Sequence, residues 1–200
     1  MLKRTYDRIY ALFEKSGGYL ATRTMLDHKV STIHIKELLE DGDIEKVSHG
    51  NYWGAFLHIE KPENYKMIEA CMTNSKAVIC GPSACHYHGL LRKESDQLFI
   101  ATSRVDRGGM KLTFPVSRHF YSKECFDEDR HTVMMNGIPV LIYGVDRSVC
   151  DCIRMEEELG QGTVNEVVRA YKKLETRDLE KLLDYADRMR VGRIVRTHVL

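Results

Sequence analysis

Hydrophobic positions fall into three regimes along the chain. In residues 4–16, Tyr6, Ile9, Leu12 and Phe13 recur at helical spacing and Gly17-Gly18 stops the pattern. Thr22 is placed to cap a second short helix, TRTMLDHK, with Met25 and Leu26 as its apolar residues. Ser31 caps a third, STIHIKELLED, whose inward stripe is Ile35, Leu38 and Leu39. Val30 plugs the turn between them, and Gly42 ends the third helix in a left-handed conformation. Ile44 and Val47 then start a strand, Ser48–Asn51 is turn chemistry, and Tyr52-Trp53 start the return. Three helices and a two-stranded ribbon are the architecture of a winged helix-turn-helix.

Charged residues around Pro62 mark a boundary, so residues 1–58 are expected to form one domain and 59–200 another. PENYKMIEACMTNS predicts a helix with proline in its first turn. AVIC, QLFIATS, KLTFPV and GIPVLIYGV predict strands, and PSACHYHGL a short helix. From Asp146 the helical period returns over DRSVCDCIRMEEEL, VNEVVRAYKKL and LEKLLDYADRMRVGRIVRTHVL. The expected fold class is α+β: a winged helix followed by a mixed α/β domain with a helical C-terminal part.

Composition narrows the function. Hydrophobic residues make up 43% of 200, enough for a real core, and the net charge of +1 advertises no polyanion partner. The N-terminal segment reads as an amphipathic helix and not a signal peptide. The longest apolar run, around 137–145, is far short of the ~20 residues that span a bilayer, so no membrane partner and a cytoplasmic location are expected. Six cysteines with no C-x-x-C pair read as buried hydrophobes or free thiols.

The order of residues Val30-Ser31, Leu38, Gly42, Ile44, Val47, Gly50 and Tyr52 resembles the N-terminal winged helix of AbiEi-type antitoxins. Lys29 departs from that pattern, where the family often has glycine. Ser83-Ala84, His88-Gly89-Leu90 and the run Val145–Arg154 are similar to the family's second domain. The resemblance implies an antitoxin of a type IV toxin–antitoxin system in phage defence by abortive infection. It implies a repressor of its own operon that binds inverted repeats in double-stranded DNA. Its functional partner would be a nucleotidyltransferase-like toxin, opposed without a stable complex, and neither catalysis nor a cofactor is expected.

A helix-turn-helix places the start of its second helix in the major groove. Ser31, Thr32, His34 and Lys36 are not needed for the core and suit base edges or phosphates, with Lys29 and Arg23 on the backbone. From Lys15 to Lys36 the only acid is Asp27, whereas acids cluster from Glu37 to Glu45. Within the turn, Lys46, Ser48, His49 and Asn51 form a tip free of carboxylates. At the C-terminus, Arg188, Arg190, Arg193 and Arg196 occur without an acid among them; on one helix the last three follow an edge that suits DNA or an acidic partner.

Other constellations are weaker. Cys80, Cys85, His86 and His88 satisfy zinc by type but not by spacing, so no metal is expected. Cys150 and Cys152 flank Asp151, which is spaced to pair with Arg154 as scaffold. Gly108-Gly109, after Arg104, Asp106 and Arg107, reads as a turn and not a phosphate cradle. Asp96, Asp106 and Lys111 are the nearest approach to a metal-dependent nuclease and lack its spacing. A transcription factor with an orphan sensor domain is the other open alternative.

Overall fold

The computed structural model describes residues 1–106 and 108–200, in two compact units. The first comprises Met1–Ser75 with 109–113 and 134–139; the second comprises Lys76–Gly108, Phe114–Val133 and Val140–Leu200. The fold is mixed α/β, and no described helix is long and apolar enough to cross a membrane.

In the first unit the order is α1 (Lys3–Lys15), β1 (Tyr19–Ala21), α2 (Thr22–Asp27), α3 (Thr32–Glu40), β2 (Glu45–Ser48), β3 (Asn51–Trp53) and α4 (Tyr65–Thr73). A three-stranded antiparallel sheet has the order β1-β3-β2, with Tyr52 opposite both Leu20 and Lys46. Ile9, Phe13, Met25, Val30, Ile35, Leu38 and Ile44 make the core, and Phe56 is met edge-on by Tyr6, Tyr10 and Phe13. The unit runs beyond the break expected after residue 58, because α4 is stitched to it. Glu69, 2% exposed, accepts from the Tyr19 hydroxyl at 3.1 Å and pairs with Lys61 at 2.7 Å.

Two local expectations shift. Thr22 is the first residue of α2 and not its cap, since its backbone N–H donates to the Gly50 carbonyl at 2.7 Å. Pro62 lies three residues before α4, in the turn closed by the Tyr65 N–H donating to the Pro62 carbonyl.

The second unit contains β4 (Val78–Ile79), α5 (Gly81–Tyr87), β5 (Leu98–Ser103), β6 (Val116–Tyr121), α6 (Lys123–Asp127) and, apart from residues 134–139, β7 (Arg130–Met135) and β8 (Ile138–Tyr143). The helices α7 (Val145–Arg154), α8 (Glu156–Leu159), α9 (Gln161–Tyr171), α10 (Leu179–Arg188) and α11 (Gly192–Val199) follow. Its sheet has the order β6-β5-β4-β8-β7, with β5–β6 and β4–β8 parallel and β4–β5 antiparallel. Val149, Cys152, Ile153, Val164, Val167, Tyr171, Leu182 and Val195 form the helical core.

The strand predicted over KLTFPV lies further on, at Val116–Tyr121. Pro115 has no N–H to donate to a ladder, though its carbonyl accepts from the Leu98 N–H at 3.0 Å. The long C-terminal helix is two helices. The chain reverses at Met189–Val191, and Gly192 allows a close approach: a Cβ there would lie 2.0 Å from Asp187 Oδ1.

Candidate nucleic-acid interface

The α2–α3 turn is built by a left-handed helix end. Lys29 has φ +61°, its N–H donates to the Leu26 carbonyl, and the Val30 N–H donates to Met25. These are the two bonds of a Schellman motif, with Val30 buried as its apolar anchor. The ends of α1, α3 and α5 use the same pair of bonds with Gly17, Gly42 and Gly89 at the left-handed position. Lys29 thus stands where a residue without Cβ is the easier choice. Its carbonyl accepts from Arg8 at 3.2 Å, which brings a further cation to the turn.

Ser31 caps α3 as expected. Its hydroxyl accepts from the His34 N–H at 3.4 Å, and the Ser31 N–H donates to His34 Nδ1 at 3.3 Å. Nδ1 is therefore an acceptor, which leaves Nε2 to carry the proton of the neutral ring. Ser31 and His34 are half-buried and engaged with each other, whereas Arg23, Thr32 and Lys36 are exposed. Lys36 pairs with Glu40 at 3.4 Å across two well-exposed side chains, a contact worth little and easily exchanged. Ile33, at the start of α3, is 75% exposed.

The ribbon divides in two. Asn51 Nδ2 donates to the Ser48 hydroxyl at 2.9 Å and to the Met72 carbonyl at 3.2 Å, so Ser48 and Asn51 tie the ribbon to α4. The expected tip of four side chains therefore reduces to Lys46 and His49, both exposed. They line a cleft of about 550 Å³ with Lys111, and no carboxylate lines it among the described residues. Lys111, read from the sequence with the nuclease residues, belongs to this first unit.

In the second unit the arginine strip does not form. Arg190 is in the turn between α10 and α11, Arg188 pairs with Glu128 and Asp184, and Arg196 makes two 2.7 Å bonds to Asp187. Only Arg193 and Arg196 share α11. The Asp151–Arg154 pair is long, at 4.0 Å. Asp151 is fully buried and instead accepts from the Tyr121 hydroxyl at 2.8 Å and pairs with Arg147 Nε at 3.4 Å. Arg147 is itself wholly buried, its guanidinium 5.0, 4.5 and 6.0 Å from the rings of Tyr121, Tyr143 and Tyr185. Burial pushes the Tyr121 hydroxyl well above its usual range, with Asp151 adding to the effect.

The remaining constellations are spent on structure. His86 Nδ1 lies 3.0 Å from the Leu91 carbonyl and His88 Nε2 lies 2.8 Å from that of Tyr143, while Cys80 and Cys85 are fully buried. Among the described residues no group of three or more His, Cys, Asp or Glu could hold a metal ion. Asp96 faces Lys93 at 4.0 Å and Asp106 faces Arg118 at 3.5 Å. Of the Gly108-Gly109 turn, Gly108 N–H donates to Asp106 Oδ1 at 3.2 Å, and Arg107 lies outside the described residues.

No protein-family model matches the sequence, and no curated protein matches it. The chain is similar to the crystal structure of the RV2827C protein from Mycobacterium tuberculosis, at 11% identity and a TM-score of 0.56, over 100% of this chain and 82% of that one. At that identity the likeness concerns the fold.

Proposed function

We propose that the first unit is a winged helix-turn-helix that binds duplex DNA, with α3 in the major groove and the β2–β3 ribbon as its wing. The observation that carries this reading is the exposure of Arg23 on α2, Lys29 in the turn, and Thr32, Ile33 and Lys36 on α3, with Asp27 the one carboxylate between Arg23 and Lys36. Thr32 suits a base edge, Ile33 suits a thymine methyl, and the three cations suit phosphates. The acids Asp41, Asp43 and Glu45 follow the far end of α3, away from its first turn. Lys46 and Lys111, with His49 beside them, supply a second surface for the backbone.

On this reading, together with the resemblance of both halves to AbiEi-type antitoxins, the chain is a cytoplasmic repressor–antitoxin. It binds inverted repeats in its own promoter and opposes a nucleotidyltransferase-like toxin without a stable complex. It acts as a binding protein and not as an enzyme. A gel-shift with the upstream promoter region tests the DNA reading: a specific shift is expected, weakened in Thr32→Ala and Lys36→Ala. Equal affinity for promoter and unrelated DNA, or none for either, refutes it. Co-expression with the neighbouring toxin gene tests the antitoxin reading separately.

A further inference from the structure

The second unit holds a cavity of about 530 Å³, in the size range of small-ligand sites. Its lining includes Arg104, Arg154, Arg188 and Arg190 together with Phe120, Tyr121, Glu124 and Glu128. These charges are not evenly spent. Glu128 pairs with Arg188 through one oxygen, while its other, Oε2, is buried without a hydrogen-bond partner. Arg154 donates to the Tyr121 hydroxyl, but the nearest carboxylate, Asp151, is closer to Arg147, and Arg154 Nε is buried without a hydrogen-bond partner. Arg104 and Arg190 are exposed and have no side-chain partner among the described residues. Two unpaired guanidiniums, Arg104 and Arg190, thus face one cavity, with Arg154 beside them.

Arg190 carries a second observation. Its φ is +61°, its N–H donates to Asp187 and the Val191 N–H donates to Ala186, the same helix end that α1, α3 and α5 close with glycine. A side chain in this conformation costs about 1 kcal/mol relative to a relaxed backbone, so an arginine kept there points to a role for its guanidinium. Beside it Phe120 is 48% exposed, with the Arg118 guanidinium 4.9 Å from its ring centre. Arg118 is in turn fixed by Thr102 and by the Asp106 and Gly108 carbonyls. A braced, exposed aromatic beside unpaired guanidiniums matches a base attached to phosphates.

We propose that this cavity binds a nucleotide, with its phosphates on Arg104, Arg154 and Arg190 and its base on Phe120. The site is independent of the DNA surface of the first unit and makes the second unit a sensor of a phosphorylated small ligand. Isothermal titration of the full chain with ATP, adenosine, pyrophosphate and a 20-base-pair duplex tests it. Saturable ATP binding is expected, with adenosine much weaker. Arg190→Gly, which relieves the backbone, and Arg104→Ala should each raise the ATP Kd by about tenfold or more. Phe120→Ala should weaken ATP while sparing pyrophosphate. Absence of saturable ATP binding overturns the proposal. So does an Arg190→Gly protein that loses thermal stability yet keeps ATP affinity, which would make Arg190 a partner of the helix dipole. Loss confined to the duplex in Arg190→Gly and Arg104→Ala would make the cavity a DNA contact and also overturn it.

Discussion

Asn51 donates its side-chain amide to the Met72 carbonyl at 3.2 Å, binding the tip of the ribbon to α4. The turn that the sequence presents as one polar surface therefore has two jobs. Asn51 and Ser48 hold the ribbon, and Lys46 and His49 face solvent. Asn51→Ala should lower unfolding stability by about 1 kcal/mol, the usual worth of a part-buried hydrogen bond. DNA affinity measured well below the melting temperature should fall little. Lys46→Ala should do the reverse: stability within about 0.5 kcal/mol of wild type, with weaker DNA binding. Urea unfolding and gel-shift on both variants check the division, and a larger affinity loss in Asn51→Ala would reverse it.

Lys29 offers a cleaner separation of charge from fold. At φ +61° glycine relieves backbone strain while adding entropy to the unfolded chain, and the two effects oppose each other. Lys29→Gly should therefore leave stability within about 1 kcal/mol of wild type. If Lys29 neutralises a phosphate, the slope of log affinity against log salt should flatten by about one unit. An unchanged slope would remove Lys29 from the interface.

The first unit was legible because its signals are local. Helical spacing up to Phe13, the Ser31 cap, buried Val30 and the left-handed Gly42 all follow from neighbours in the chain. β1 was missed because three residues, Tyr19–Ala21, carry no periodicity and pair only with a strand thirty residues on. β7 was missed although Asn136-Gly137, with φ +50° and +77°, is a hairpin signal between it and β8. Ser48 and Asn51 looked available because their partner, the Met72 carbonyl, is a backbone group that no side-chain pattern announces. The cavity lined by Arg104, Arg154 and Arg190 gathers residues from separate segments, which spacing cannot reveal.

Arg147 and Asp151 should behave as a buried pair whose halves are worth more together than apart. Asp151→Asn leaves the wholly buried Arg147 without its nearest anion in a site closed by tyrosine rings. Removing one partner of such a pair costs about 3–5 kcal/mol. Replacing both, as Arg147→Met with Asp151→Leu, should cost less than the sum of the single changes, since the wholly buried guanidinium is removed together with its nearest anion. Urea unfolding of the single and double variants measures the coupling. Additive losses would show that the two charges act independently.

His119 should make stability sensitive to acid. Its ring stacks on Phe99 with centroids 5.9 Å apart, and burial holds its pKa below 6.5 even though Glu158, at 3.5 Å, works in the other direction. Arg154 also lowers it. As pH falls through the ordinary histidine range near 6.5, the unfolded chain takes up a proton that the folded chain refuses, so the folded state loses stability. The loss grows until pH reaches the depressed folded pKa and then levels off. Above about pH 7.5 the contribution is fully present, because both states are neutral there. His119→Gln, which keeps a polar group near Ser117 and Glu158 without titrating, should therefore narrow the gap in unfolding free energy between pH 7.5 and pH 5.5. A gap of unchanged size would place the acid sensitivity elsewhere. A wild-type protein that gains stability from this histidine on acidification would mean that Glu158 outweighs burial.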